Sequence, residues 1–156
     1  MKPQLEVYED RFMREALIEA ERAALEEEVP VGAVVVLLGR IVGRGHNNVI
    51  ATLDPTCHAE MVALRAAAKT LENYRLTDCD LYVTLESCAM CAGAMVNARI
   101  RRLFYGAADP KSGAVVSTQR LLEIPQLNHR VIASGGYRDS EAAALLQDFF
   151  RKRRST

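Results

Sequence analysis

The sequence predicts an α/β protein, a three-layer α/β/α sandwich built on a mixed five-stranded sheet. Three observations carry this. Short β-branched runs alternate with longer alanine-rich amphipathic stretches, which is the pattern of helices packed on both faces of a sheet. The first apolar run, "VGAVVVLLGRIVGRGHN", has a glycine at its middle and no room for a helix, so it reads as two strands joined by a hairpin. The later strands are separated by helices and run parallel, which makes the sheet mixed.

The elements follow in order. Residues 9–28 form an amphipathic helix with Phe12, Ala16, Leu17, Ala20, Ala23 and Ala24 on one side. The hairpin turns at Gly39-Arg40, and its first strand is apolar throughout, as a strand covered on both faces must be. "NVIATLDPT" is a loop. "HAEMVALRAAAKTL" is a strong helix former. "DLYVTL" is a strand, "CAMCAGAMVNA" a buried helix of small residues, and "IRRLFYG" the next strand. A loop over 106–129 holds Pro110, Gly113 and Pro125, with a short helix near 117–123. "RVIAS" is the last strand. "DSEAAALLQDFFRKRR" is a closing helix started by a capping box at Ser140 or Asp139.

The chain has 156 residues, enough for one self-sufficient core, and residues 1–156 are expected to form a single domain. Twenty basic residues balance twenty acidic ones, so nucleic-acid binding would have to come from a local patch. Charge is unevenly placed, with Glu26, Glu27 and Glu28 ending the first helix and "RKRR" ending the last. The N-terminus has no apolar run of signal-peptide length, and no stretch approaches a membrane span. A cytoplasmic location is expected. In that compartment Cys57, Cys79, Cys88 and Cys91 are reduced, metal-bound or catalytic rather than paired as disulfides.

Cys88 and Cys91 stand three residues apart where a strand passes into a helix, so they share one face of the first turn. The unpaired N–H groups there favour thiolate, and two thiolates one turn apart suit zinc. A second helix start, "CHAE", supplies His58 as a nitrogen ligand and Glu60 two residues on. A structural zinc site is closed by four protein ligands, whereas a catalytic one leaves a position open. Three ligands are evident, and Cys57, Cys79, His46 or His129 would have to be the fourth. Cys57 adjoins His58 and points elsewhere on a helix, while Cys79 suits the core, so the open site is favoured. Zinc lowers the pKa of bound water from about 15.7 toward about 7, and Glu60 is placed to move the proton. A closed structural zinc module using Cys57 and a dithiol redox protein are the competing readings. The second leaves His58 and Glu60 unexplained.

"HAE" at 58–60 and "CAMC" at 88–91 resemble the zinc-dependent cytidine/deoxycytidylate deaminase superfamily, whose signature is H-x-E followed by P-C-x-x-C. The resemblance extends over "EVPVGAVVV", "GRGHNNVIATLDPTCHAE", "NYRLTDCDLYVTLESCAMCAGAMVNARIRRLFYGAADPKSGA", "LNHRV" and "LLQDFFRKRR". That longer pattern is similar to the bacterial tRNA-specific adenosine deaminases. It implies a cytidine deaminase-like fold, one zinc ion per subunit and a homodimer. It also implies conversion of adenosine to inosine at the wobble position of an arginine tRNA anticodon. It further implies His58, Cys88 and Cys91 as ligands and Glu60 as the proton shuttle. Asn47 would hold the base, with Val31, Ala33, Ala59 and Glu60 around it. Asp109 and Lys111 would lie beside the target nucleotide, and Asn128, His129, Phe149, Phe150 and Arg153 would frame the tRNA loop. A free nucleobase or nucleotide deaminase, such as guanine deaminase, shares the short signature and is the alternative.

The residues themselves agree with an unpaired RNA substrate, because a base must be splayed out before its ring carbon can be attacked. Phe149, Phe150 and the terminal "RKRR" offer aromatic and cationic surface, against core packing and a solvated tail as the plainer readings. Two positions depart from the pattern. His46 stands where relatives often carry an aromatic such as tryptophan, and is expected to be a ring at the pocket edge or surface. Ser87 stands where the signature has proline, and its hydroxyl is expected to cap the helix that follows.

Overall fold

In a computed structural model, residues 7–154 are described. The chain runs α1 (Asp10–Leu25), β1 (Gly32–Leu37), β2 (Arg40–His46), α2 (Val49–Thr52), α3 (Ala59–Leu71), β3 (Asp80–Leu85) and α4 (Ala89–Ala98). It continues through β4 (Arg102–Ala107), a 3-10 turn (Leu121–Glu123), β5 (Ile132–Gly135) and α5 (Asp139–Arg154). The sheet order is β2-β1-β3-β4-β5, with β1 antiparallel to both β2 and β3, and β4 parallel to both β3 and β5. This is the expected mixed five-stranded sheet between two helical layers.

Alternate residues of the central strands feed the two cores. Val35, Leu81, Val83 and Leu103 face α3 and α4, where they meet Ala63, Ala67, Cys91 and Met95. Val34, Val36, Tyr82 and Phe104 face α1, where they meet Phe12, Met13 and Ala16. Each fully buried aliphatic side chain contributes about 1.5–3 kcal/mol, so the two-sided strands hold the sheet in register.

Several details differ from the expected elements. The hairpin turns on Leu38-Gly39, one residue earlier than expected, and both residues have positive φ (51° and 77°). That is the backbone of a tight two-residue turn whose twist matches the strands it joins. The loop after β2 contains the short helix α2, which sequence periodicity cannot reveal in four residues. No capping box opens α5. Asp139 Oδ1 accepts the N–H of its neighbour Ser140, and Arg138 precedes the helix in the left-handed region.

The placement of α3 depends on β2 having no side chains where the two meet. A Cβ on Gly45 would lie 2.7 Å from the Ala59 carbonyl oxygen and from the Ala63 nitrogen. Gly43 faces Ala63 and Ala67 in the same way. The helix backbone thus rests on the strand backbone, and the start of α3 is carried to the edge of the sheet where β3 ends.

On the other face, α1 is tied to β2 by ions. Glu19, 3 % exposed, accepts from Arg44 Nε at 2.7 Å and faces His46 Nδ1 at 2.9 Å. His46 Nε2 faces Glu26 at 3.1 Å, and Arg22 also reaches Glu19. An imidazole between two carboxylates donates to both only when it carries both protons. Burial pulls its pKa down, but the hydrogen bonds to Glu19 and Glu26 outweigh burial and raise it. The resulting stabilisation is fully present below the unfolded value of about 6.5 and is lost as pH rises through the raised folded value. The melting temperature of the wild type should therefore fall relative to that of His46→Gln as pH rises above about 6.5. Parallel melting profiles of the two proteins would contradict this.

Candidate metal and catalytic site

Two helix starts meet at the end of the sheet where β3 and β4 finish. His58 is the N-cap of α3 and Cys88 the N-cap of α4, both in extended backbone, and neither side chain caps its own helix. The side chains turn toward each other instead. His58 Nδ1 lies 3.5 Å from Cys88 Sγ and 3.5 Å from Cys91 Sγ. The three ligand atoms lie within 4.8 Å of one another and are the only group of metal-ligating type found among the described residues. Around a tetrahedral zinc with bonds of about 2.3 Å to sulfur and about 2.0–2.1 Å to nitrogen, the S···N edge is about 3.6 Å. The donors already stand at that spacing, so the residues fit the ion.

The two thiols drive each other's pKa values apart. Cys91's thiol, donating to Cys88, together with His58, holds Cys88 down at about 3 against the effect of burial. The same contact with Cys88, together with burial, keeps Cys91 protonated. A divalent cation would bind both sulfurs as thiolates and release the thiol protons.

Glu60, 4 % exposed, lies in the first turn of α3. Burial raises its pKa, opposed by a hydrogen bond from Ser87, whose hydroxyl donates to Glu60 Oε2 at 2.7 Å. The expected cap is thereby corrected. Ser87 reaches across to α3 because its carbonyl is pinned by the N–H of Ala114, which aims the side chain inward.

The residues weighed as a fourth ligand lie elsewhere, as the open-site reading expects. Cys57 faces Asp54 and Arg65, Cys79 is wholly buried in the core, and His46 is held by α1. His129 Nε2 faces the carbonyl of Ile100 at 2.7 Å, past the far end of α4. Asn128 lies there too, accepting from Arg99, so neither residue adjoins the His58 cluster of this chain.

Asn47 is close to it. Its Oδ1 accepts the N–H of Ala59 at 2.8 Å, and its own N–H donates to Val31. Ala33 and Ala59 are fully buried and Val31 nearly so. Phe149 and Phe150 pack edge to face at 5.4 Å, with the Arg153 guanidinium 4.9 Å from the Phe149 ring. Neither phenylalanine belongs to the core. Phe149, Lys152 and Arg153 share a cleft with Ala24 and Glu27 at the end of α1.

Two carboxylates near the site escaped the sequence reading. Glu28, read as part of an acidic run, is 2 % exposed and accepts the N–H groups of Ile50 and Ala51, anchoring α2 beside Asn47. Glu86, 3 % exposed, accepts N–H groups from Asp109, Val115, Val116 and Ser117 at 2.8–3.1 Å, and also the Ser117 hydroxyl. It folds the loop that carries Asp109 and Lys111 around one charge. Asp109 in turn accepts from the N–H groups of Lys111 and Ser112. No residue spacing announces either clamp, because the donors are main-chain groups more than twenty residues away.

A three-layer sandwich with His, Cys, Cys and a buried Glu on two facing helix starts is the architecture of a deaminase domain. Residues 7–154 match the family described as MafB19-like deaminase. The tRNA-specific adenosine deaminase of Agrobacterium fabrum is 48 % identical over 143 residues, covering 92 % of this chain and 94 % of that protein. A solved structure from a study of A-to-I editing by tRNA:A34 deaminases is 47 % identical, with a TM-score of 0.86 over 88 % of this chain and all of the other. Guanine deaminase from Bacillus subtilis is 41 % identical with a TM-score of 0.62, over 65 % of each chain. This chain belongs to the tRNA-specific adenosine deaminase family.

Glu86 generates a stability prediction. Its hydrogen bonds outweigh burial and lower its pKa to about 2. Its contribution is present above the unfolded value of about 4.3 and is lost as pH falls through about 2. Glu86→Ala strands several main-chain donors and should cost at least about 3 kcal/mol in urea unfolding at neutral pH. Hydrogen exchange should speed up over 109–117. Unchanged protection in that segment would refute the clamp.

Proposed function

We propose that this chain deaminates adenosine to inosine at the wobble position of a tRNA anticodon, of the arginine tRNA type, as one catalytic domain spanning residues 1–156. His58, Cys88 and Cys91 hold one zinc ion per subunit. The observation that carries this reading is the 3.5 Å spacing of His58 Nδ1 from both sulfurs with buried Glu60 beside them. The three-donor set leaves a coordination position for water or substrate. Zinc bound there supplies Lewis-acid activation of the attacking water.

The chain's own groups do the rest. Glu60 takes one proton from the water as it adds to adenine C6 and passes it to ring nitrogen N1. It then takes the proton of the new C6 hydroxyl and delivers it to the amino group, which departs as ammonia. Its burial keeps that carboxyl from exchanging protons with bulk solvent. Asn47, anchored through Oδ1 on the start of α3, directs its amide NH₂ at the base. Val31, Ala33 and Ala59 form the wall behind it. Asp109 and Lys111, on the loop organised by Glu86, meet the target nucleotide. Phe149, Phe150 and Arg153 give flanking bases a stacking surface with a cation. Asn128 and His129 meet the tRNA outside the pocket, a reading supported by Arg75, Arg99, Arg101 and Arg130 around the cavity His129 lines.

A homodimer is part of the proposal. Its support is the apolar groove between α3 and α4, lined by Met61, Leu64, Ala68, Leu76 and Ala94, with Tyr74 72 % exposed at its rim. A cytoplasmic location goes with a tRNA substrate. Among the described residues no helix is long and apolar enough to cross a membrane.

Zinc-loaded protein incubated with an anticodon stem-loop bearing a wobble adenosine should form inosine, read by mass spectrometry and abolished by a chelator. Deamination of free guanine with an untouched stem-loop would favour the free-purine reading suggested by the Bacillus subtilis likeness. Glu60→Ala should lose at least about 100-fold in rate with zinc retained. Zinc absorption spectroscopy should find two sulfurs, one nitrogen and one oxygen. Three sulfurs would support a closed structural site.

A further inference from the structure

Glu60 must present a carboxylate to reacting atoms while buried, and its side chain has three rotatable bonds. Something has to hold it. The start of α3 provides a partial answer, because the first-turn N–H groups lie near the carboxylate. The specific contact comes from outside the helix. Ser87, 1 % exposed, donates its hydroxyl hydrogen to Glu60 Oε2 at 2.7 Å. Both ends of that contact are fixed by other bonds. Ser87 lies between Glu86, clamped by the 109–117 loop, and Cys88, and its carbonyl accepts from Ala114 at 2.8 Å. Glu60 is carried by α3, which Gly43 and Gly45 allow to sit on the sheet.

We propose that Ser87 is a positioning residue for the deamination, holding the Glu60 carboxylate in one orientation toward the His58–Cys88–Cys91 cluster. The proposal rests on the deaminase reading above. A neutral hydroxyl suits the task. It donates one hydrogen bond and stays neutral, so Glu60 can still take up and release a proton. A lysine or arginine at this depth would neutralise the carboxylate and hold its charge. Proline, which the superfamily signature has at this position, starts a helix equally well but donates nothing. In this chain the serine thus adds a contact that a prolyl ring cannot make.

The contact is expected to act on turnover and not on substrate capture, because Ser87 is buried behind Glu60. Ser87→Ala should lower kcat on the wobble-adenosine stem-loop about tenfold, with KM within about twofold and zinc content unchanged. Ser87→Thr keeps the hydroxyl and should recover kcat to within about threefold of wild type. Ser87→Pro should fall with Ser87→Ala. A second measurement reads the contact without turnover. In the metal-free protein, Ser87→Ala should lower the melting temperature when Glu60 is present, and by less than half as much in a Glu60→Ala background. Equal shifts in the two backgrounds would overturn the contact. A Ser87→Pro enzyme with kcat at or above wild type would overturn its role in turnover. Absence of inosine with wild-type protein would overturn the deaminase reading itself, and the melting cycle would still report on the contact.

Discussion

The site depends first on backbone meeting backbone. The N-termini of α3 and α4 must come close enough for one nitrogen and two sulfurs to face each other, and both helices lie on the same face of the sheet. A helix normally stands off a sheet by the thickness of two layers of side chains. Here Gly43 and Gly45 on β2, against Ala59, Ala63 and Ala67 on α3, remove one of those layers. Tertiary packing therefore sets the ligand spacing, and little is left to the flexibility of the ligands. A shift of about 1 Å in α3 would move His58 by nearly half a zinc–ligand bond.

The second constraint is local. Glu86, Ser87 and Cys88 are consecutive, and each serves a different part of the site. Glu86 gathers the loop of Asp109 and Lys111, Ser87 reaches Glu60, and Cys88 joins the metal-ligand cluster. At the exit from β3, Ser87 thus contacts Glu60 from between the loop clamp of Glu86 and the thiol of Cys88. The strand β3 is held between β1 and β4, which makes this exit a rigid part of the molecule. Charge is apportioned with similar economy. The buried carboxylates of Glu28 and Glu86 meet main-chain N–H groups, whose partial charges offset them without adding a competing cation near the thiolates.

Much of this was readable from the sequence. The spacing of Phe12, Ala16, Ala20 and Ala23 marked the buried side of α1, and the apolar run of β1 marked a strand covered twice. His58, Cys88 and Cys91 were recognisable because metal ligation demands particular donors at particular spacings, and the structure brings these three together. What escaped was whatever depended on distant main-chain groups. The Glu86 clamp joins a strand end to a loop some thirty residues later, and Glu28 reaches α2 across the hairpin. Ser87 was legible as a departure from the proline pattern, but local rules assigned its hydroxyl to the nearest helix. Its actual partner is twenty-seven residues earlier. The Leu38-Gly39 turn was displaced by one residue because leucine rarely adopts positive φ.

Helices α1 and α5 lie side by side and run in the same direction. Asp10 pairs with Arg138 near their starts, Leu17 meets Ala142 further along, and Ala24 and Glu27 share a cleft with Phe149 and Lys152 near their ends. The end of α1 leads into Val31 and the Asn47 region, so α5 finishes at the same end of the sheet as the His58–Cys88–Cys91 cluster. On the proposed function, a dye or tether placed on the last turn of α5 would lie beside the surface that Phe149 and Arg153 offer to flanking bases. The hairpin tip at Leu38-Gly39 lies at the opposite end of the sheet, beside Arg11 at the start of α1. On the same reading, that tip is the attachment point that leaves this surface open.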